Sequence, residues 1–188
     1  STLTSKLYEE FERSEQQKII PLIIKHYKRA LELYPDNYEV YNNLGAFYSN
    51  TYSTFIDKPL PAYQMGVKYL EKARDLRPES VAPYFNLAHT YKAMEEYDKA
   101  LENYEKALQL DPSNIKLNEE AADAYFESGN KDDAIRLNKK LSELFPESDL
   151  PYINIGNYHL MSGDTLKAIR NWEKAVEKVP QVKLCYML

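Results

Sequence analysis

Residues 81–114 read VAPYFNLAHTYKAMEEYDKALENYEKALQLDPSN. Tyr84, Leu87, Ala88 and Tyr91 fall at spacings that put them on one side of a helix of 3.6 residues per turn, and Ala100, Tyr104 and Ala107 do the same before Pro112 ends the run. The stretch is two amphipathic helices and a turn. Neither helix can bury its apolar side alone, so each needs a neighbour of the same kind.

The rest of the chain supplies those neighbours. One period of ~34 residues downstream, Tyr91 becomes Tyr125, Ala100 becomes Ala134 and Pro112 becomes Pro146. The aromatics of the two helices are replaced by Asn118 and Asn138, while Ala121, Ala122 and Leu141 keep the packing places small or apolar. A further period gives Tyr152, Ile155, Gly156, His159, Ala168, Trp172, Ala175 and Pro180. Gly129 and Gly163 mark the turns between helices, where positive φ costs glycine little. Small Gly156 and Ala168 suit a close helix approach, with Tyr152 and Trp172 filling the space beside them. Pro151, preceded by Ser148 and Asp149, reads as a first-turn proline behind a capping residue.

Upstream, Tyr41, Leu44, Gly45 and Tyr48 form a first helix, and Tyr69, Ala73 and Pro78 a second, but Tyr41 and Pro78 are nine residues further apart than the matching pair Tyr84 and Pro112. The excess falls in NTYSTFIDKPLPA, which predicts an irregular inter-helix loop over 51–58, with Pro59 or Pro61 opening the next helix. Ile23, Tyr27, Ala30 and Pro35 match a second helix, whereas Leu7, Glu10, Phe11 and Ser14 match a first helix poorly. Pro21 is expected in the opening turn of that second helix, or at a kink if Ser14 and Gln17 form a capping box.

This order of large, small and aromatic residues resembles the tetratricopeptide repeat, a helix-turn-helix unit of ~34 residues. The resemblance implies an all-α, right-handed superhelical stack of antiparallel helix pairs forming a single domain over 1–188. Its repeats are expected at 4–37 (degenerate), 38–80 (with the insertion), 81–114, 115–148 and 149–182, with 183–188 opening a further helix. It also implies that first helices line a concave groove that binds a peptide or an extended protein segment.

Two places after the first-helix aromatic the repeats carry Asn43, Asn86, Glu120 and Asn154. Some members of the family hold a peptide backbone with a ladder of asparagines at this place, since an amide offers both donor and acceptor. The other reading is that these amides are solvated or bond to neighbouring first helices. Asn42, Phe85, His89, Asp123 and Asn157 lie beside the ladder within one helical face. Glu119, Glu120 and Asp123 cluster where the other repeats are neutral, which points to a ligand with a basic segment, or to a solvated acidic first turn that suits the helix dipole. His89 has no second ligand at metal spacing, and His159 occupies a packing place. The family's carboxylate clamp for chaperone tails needs Lys, Asn and Arg, and its places here hold Asn42, Ala46, Asn86, Lys116 and Glu120.

The 188 residues are 44% hydrophobic and 28% charged, a composition that folds. A net charge of −5 without a Lys/Arg cluster argues against nucleic acid as partner. There is no apolar run long enough for a membrane span and nothing like a signal peptide, so no membrane partner and a cytoplasmic location are expected. No phosphate loop, nucleophile motif, zinc signature or dinucleotide turn is present, so no catalytic residue, metal or cofactor is expected and the chain is read as a non-enzymatic interaction scaffold. The alternatives are a regulatory or substrate-recruiting repeat module of a larger enzyme such as a transferase, and a structural module that self-associates. The apolar segment QVKLCYML at 181–188 is expected to continue into another repeat, to dock on the preceding helix, or to join copies into a homo-oligomer.

Overall fold

The computed structural model describes residues 2–56 and 59–178, with the side chains of 2–17 left aside. All regular structure among the described residues is helical: α1 (Thr2–Leu33), α2 (Tyr38–Ala46), α3 (Leu60–Leu76), α4 (Val81–Ala93), α5 (Tyr97–Leu110), α6 (Ile115–Glu127), α7 (Lys131–Leu144), α8 (Leu150–Met161) and α9 (Thr165–Lys178). The helices fall into two compact units, residues 1–96 and 97–188.

In the first unit α2 packs on α3 and α3 on α4. The approach of α2 to α3 is close enough that a Cβ on Gly45 would overlap the Leu70 side chain. Leu44, Leu70, Ala73, Leu87 and Ala88 are fully buried, the small and large residues of the repeat pattern meeting across these helices. Asn37 caps α2 by accepting a hydrogen bond from the Val40 amide at 3.1 Å. The Tyr38 hydroxyl meets Ser80 Oγ at 2.6 Å, and the Arg77 guanidinium lies 4.4 Å from the centre of the Tyr38 ring.

Two parts of this unit depart from the sequence reading. Instead of two helices divided near Pro21, a single helix α1 runs through Pro21 to Leu33. SEQQKII offers no glycine, asparagine or aspartate to build a turn, so the missing proline N–H costs the helix less than an unsupported break would. The expected loop over 51–58 is helical for much of its length: a π-turn Phe47–Thr51 leads into a 3-10 turn Tyr52–Phe55, and residues 57–58 lie outside the described residues. Ser53 Oγ donates to the Ser49 carbonyl at 2.5 Å. Tyr48 stacks on Tyr69 of α3 at 5.7 Å and meets Tyr52 edge-on at 5.6 Å. These contacts fold the extra residues back onto α3, which opens after Pro59 with Pro61 in its first turn.

In the second unit α5 packs on α6, α6 on α7, α7 on α8 and α8 on α9. Tyr104, Leu117, Ala121, Ala122, Ala134 and Ala168 are shut away from solvent. A Cβ on Gly156 would run into the Trp172 indole, so the glycine is what lets α9 seat its tryptophan on α8. Asp149 precedes α8 but makes no side-chain capping bond; its carbonyl accepts from the Tyr152 and Ile153 amides instead.

The turns that close α4, α6 and α8 are one motif. The amides of Glu95, Gly129 and Gly163 donate back to Lys92, Phe126 and Leu160, and those of Glu96, Asn130 and Asp164 to Tyr91, Tyr125 and His159. The first residue of each set has positive φ: +89° at Gly129, +80° at Gly163 and +60° at Glu95. A side chain in that region costs ~1–2 kcal/mol, and glycine gives back ~0.5–1 kcal/mol in unfolded-chain entropy. Glu95→Gly is therefore expected to stabilise the first unit by up to about 1 kcal/mol in urea denaturation, and a clear loss of stability would show that the Glu95 side chain contributes more than its backbone costs.

Candidate functional site

The first-helix residues singled out by register fall into one set per unit. In the first unit, α2 and α4 bring three amides into a chain: Asn86 Nδ2 donates to Asn42 Oδ1 at 3.0 Å, and Asn42 Nδ2 reaches Asn43 Oδ1 at 3.4 Å. Asn43 is exposed, while Asn42 and Asn86 are half-buried. Each amide has two donors and an oxygen with two lone pairs, so the chain leaves the Asn86 oxygen and both Asn43 N–H groups outside these contacts. Thr90 ties α4 to the π-turn that follows α2, its hydroxyl shared between Ser49 Oγ at 2.8 Å and the Asn86 carbonyl at 2.7 Å. Phe85 and His89 are half-buried neighbours on α4, and His89 Nδ1 is buried without a hydrogen bond among the described residues.

In the second unit the set lies on α6 and α8. The Tyr158 hydroxyl donates to Asp123 Oδ1 at 2.6 Å, and the Tyr158 ring stacks on Phe126 at 4.6 Å. Burial, then the bond to Asp123, pushes the Tyr158 phenol well above the ordinary tyrosine range, so it remains a donor. Asn154 Nδ2 donates to Asn138 Oδ1 at 3.2 Å, and Asn157 Oδ1 accepts from Trp172 Nε1 at 3.3 Å. Glu119 and Glu120 are half-buried and Asp123 is exposed. Burial, followed by the negative charges of Asp123 and Glu120, holds the Glu119 carboxyl above its usual value.

A carboxyl whose folded value is raised binds its proton more tightly folded than unfolded, so its ionisation weakens the fold as pH rises through that window. Glu119→Gln removes this effect. The variant should be more stable than the parent at neutral pH, and the gain should fade as pH drops through the carboxylate range; a gain that persists in acid would assign the effect to packing instead.

Sequence reasoning did not foresee Asn138, Tyr158 or Trp172 as partners of the first-helix residues singled out by register. Asn138 carried a readable signal: a polar residue at an aromatic packing place must find hydrogen bonds, and its amide donates to the Ala134 carbonyl at 3.1 Å while fully buried. Asn118 solves the same problem by donating to the Asn114 and Pro112 carbonyls. His159 is half-buried; burial and the Lys131 charge lower its basicity, with Lys167 and Lys139 adding and Asp164 opposing. Among the described residues no group of three or more His, Cys, Asp or Glu is placed to hold a metal ion, and no helix is long and apolar enough to cross a membrane.

The family model described as tetratricopeptide repeat matches residues 81–114, and a second model of the same description matches residues 26–54. The chain carries tetratricopeptide repeats. Tetratricopeptide repeats are protein-interaction modules, and the chain is accordingly a protein-interaction scaffold. No curated protein sequence matches it significantly. The chain is similar to a crystal structure of the MamA protein at 22% identity over 100% of this chain and 98% of that one, with a TM-score of 0.72. It is similar to a second crystal structure of MamA at 22% identity, covering 85% and 88% of the two chains, with a TM-score of 0.69. A third likeness is to MamA, from position 41 to the end, from Desulfovibrio magneticus RS-1, at 19% identity over 92% and 93% with a TM-score of 0.69. At such identities the likeness shows the fold, an all-α tetratricopeptide arrangement of helix pairs.

Proposed function

We propose that this tetratricopeptide repeat scaffold binds an extended protein segment on its first-helix faces, without catalysis. The observation that supports this most is the amide chain Asn86, Asn42, Asn43, whose members are held in place by one another and still offer amide donors and an oxygen at the surface of α2 and α4. A peptide backbone has the complementary groups at every residue, so such a face recognises extension rather than side-chain identity. In the second unit the recognition is of charge. Glu119 and Glu120 stand beside Asp123, whose carboxylate is already positioned by Tyr158, and a Lys- or Arg-bearing segment relieves the repulsion among them.

Selection from a random peptide display library tests both parts. Extended peptides enriched in Lys and Arg are expected, with association that weakens as salt rises because the screening length falls from ~30 Å at 0.01 M to ~8 Å at 0.15 M. Changing Glu119→Gln, Glu120→Gln and Asp123→Asn together should abolish the basic preference and flatten the salt dependence. If no peptide is enriched, the groove reading is wrong; if basic peptides bind the neutralised variant equally well, the acidic residues are a solvated surface.

A further inference from the structure

In the second unit α6 packs against both α5 and α7, and between those two second helices lies a cavity of about 470 Å³ with Tyr125 of α6 in its lining. Short turns at 111–114 and 128–130 reverse the chain on either side of α6, so α5 and α7 run parallel. Leu108 of α5 and Leu137 of α7, both half-buried, form the apolar middle of the cleft. At one end Glu105 accepts from the Tyr125 hydroxyl at 2.6 Å, and Asp133 accepts from Arg136 at 2.6 Å. Two carboxylates against one guanidinium leave this end negative. Burial, then the bond to Glu105, raises the Tyr125 phenol well above the ordinary tyrosine range, so the hydroxyl keeps its proton and Glu105 keeps its place. Lys140, seven residues and so about two turns beyond Asp133 on α7, makes the other end positive. Repeat packing does not require these side chains. One period of ~34 residues on, Leu108 and Leu137 are replaced by Ser142 and Asn171, and Glu105 and Asp133 by Lys139 and Lys167.

We propose that the cleft between α5 and α7 is a docking site for an amphipathic helix of a partner protein. That helix seats a large apolar side chain between Leu108 and Leu137, with an acidic residue one turn earlier beside Lys140 and a basic residue one turn later beside Glu105. The occupant is a helix because the walls are helices. The backbone groups of α5 and α7 are bonded within those helices, so the cleft offers an incoming chain side chains alone. An extended segment would leave its own N–H and C=O groups unpaired against the leucines, whereas a helix arrives with them satisfied. The direction follows from charge. Acid near the N-terminus and base near the C-terminus is the arrangement a helix dipole favours, and it matches the cleft only when the incoming helix runs antiparallel to α5 and α7. The site uses none of the residues assigned above to an extended ligand.

Selection from a display library of a three-helix scaffold with one randomised helix face tests the proposal. Enriched clones are expected to carry acidic, large apolar and basic residues in that order, about four residues apart. The control target, Leu108→Ser with Leu137→Asn, carries the residues that stand one period later, and it should keep its far-ultraviolet circular dichroism while losing the clones. Lys140→Glu, at an exposed position, should weaken a selected clone several-fold, and changing the acidic residue of the clone to Lys should restore the affinity. Glu119→Gln, Glu120→Gln and Asp123→Asn together should leave the clones bound. The proposal is overturned if no clone is enriched, or if the clones bind the control target equally well. It is also overturned if Lys140→Glu changes nothing, or if the clones carry their charges in the reverse order.

Discussion

Tyr104→Ala should lower the unfolding free energy of the second unit by about 3–5 kcal/mol, the range for removing a large aromatic from a packed core. Tyr104 has no solvent exposure and lies on one side of α5 between Ala100 and Ala107, which are equally buried. The two alanines let α5 approach its neighbours, and the ring fills the space between. Its removal leaves a void that the small residues beside it cannot close. Burial, together with the carboxylates of Glu120, Glu127 and Asp123, keeps the phenol neutral at every pH at which the protein would be handled, so the loss should be flat between mildly acid and mildly alkaline solution. Trp172 belongs to the same unit and can follow its urea transition by emission. Tyr104→Phe, which keeps the ring, separates the volume lost from the hydroxyl. An alanine variant that loses less than about 1 kcal/mol would mean that α5 is not seated on α6 as described.

Much of this core could be read from the chain because its period is the fold. Tyr84, Leu87 and Ala88, and Ala100, Tyr104 and Ala107, are buried as their spacing requires, and Gly129 and Gly163 take the positive φ that their turns need. The pattern was silent where the governing interactions are not periodic. Glu95 holds the same backbone conformation as the two glycines, and nothing in its residue type announces it. At Pro21 the local breaker signal lost to continuity of helix hydrogen bonding. In the insertion, serine, threonine and proline signalled a loop, but Tyr48, Tyr52 and Tyr69 provided enough aromatic contact to wind it into π and 3-10 turns.

The candidate site was legible in its residues and not in its bonds. Register put Asn43, Asn86 and Asn154 at one place in their repeats, and the alternative that such amides bond to neighbouring first helices is what Asn86 does with Asn42, 44 residues away; the bond of Asn154 to Asn138, on a second helix, had no counterpart in the sequence reading. Asp123 and Tyr158 are 35 residues apart, close to one period, so their meeting reflects adjacent first helices and becomes visible only once those helices are packed. Such internal bonds change what the amides can do for a ligand. A side chain already held by one bond loses less rotamer freedom on binding, and the bonds it still offers are correspondingly more effective.

The consequence for binding is the second large effect. With a display-selected peptide as ligand, the variant Asn43→Ala, Asn86→Ala, Asn154→Ala should bind more weakly by about 1.5–4 kcal/mol, from ~0.5–1.5 kcal/mol for each hydrogen bond lost, with Asn43 and Asn86 coupled to each other through Asn42. The three positions should not be equal. Asn43 is exposed and receives only a long contact from Asn42, so its loss removes ligand bonds and little else. Asn86→Ala also deprives Asn42 Oδ1 of its donor, and Asn154→Ala deprives the buried Asn138 of its donor, so these two should lower stability as well as affinity. Measuring affinity by calorimetry and stability by urea denaturation on each single variant separates the two effects. If the triple variant, still folded, binds the peptide as tightly as the parent, the amides serve only to tie the helices together, and recognition must rest on Phe85, His89 and the acidic face of α6.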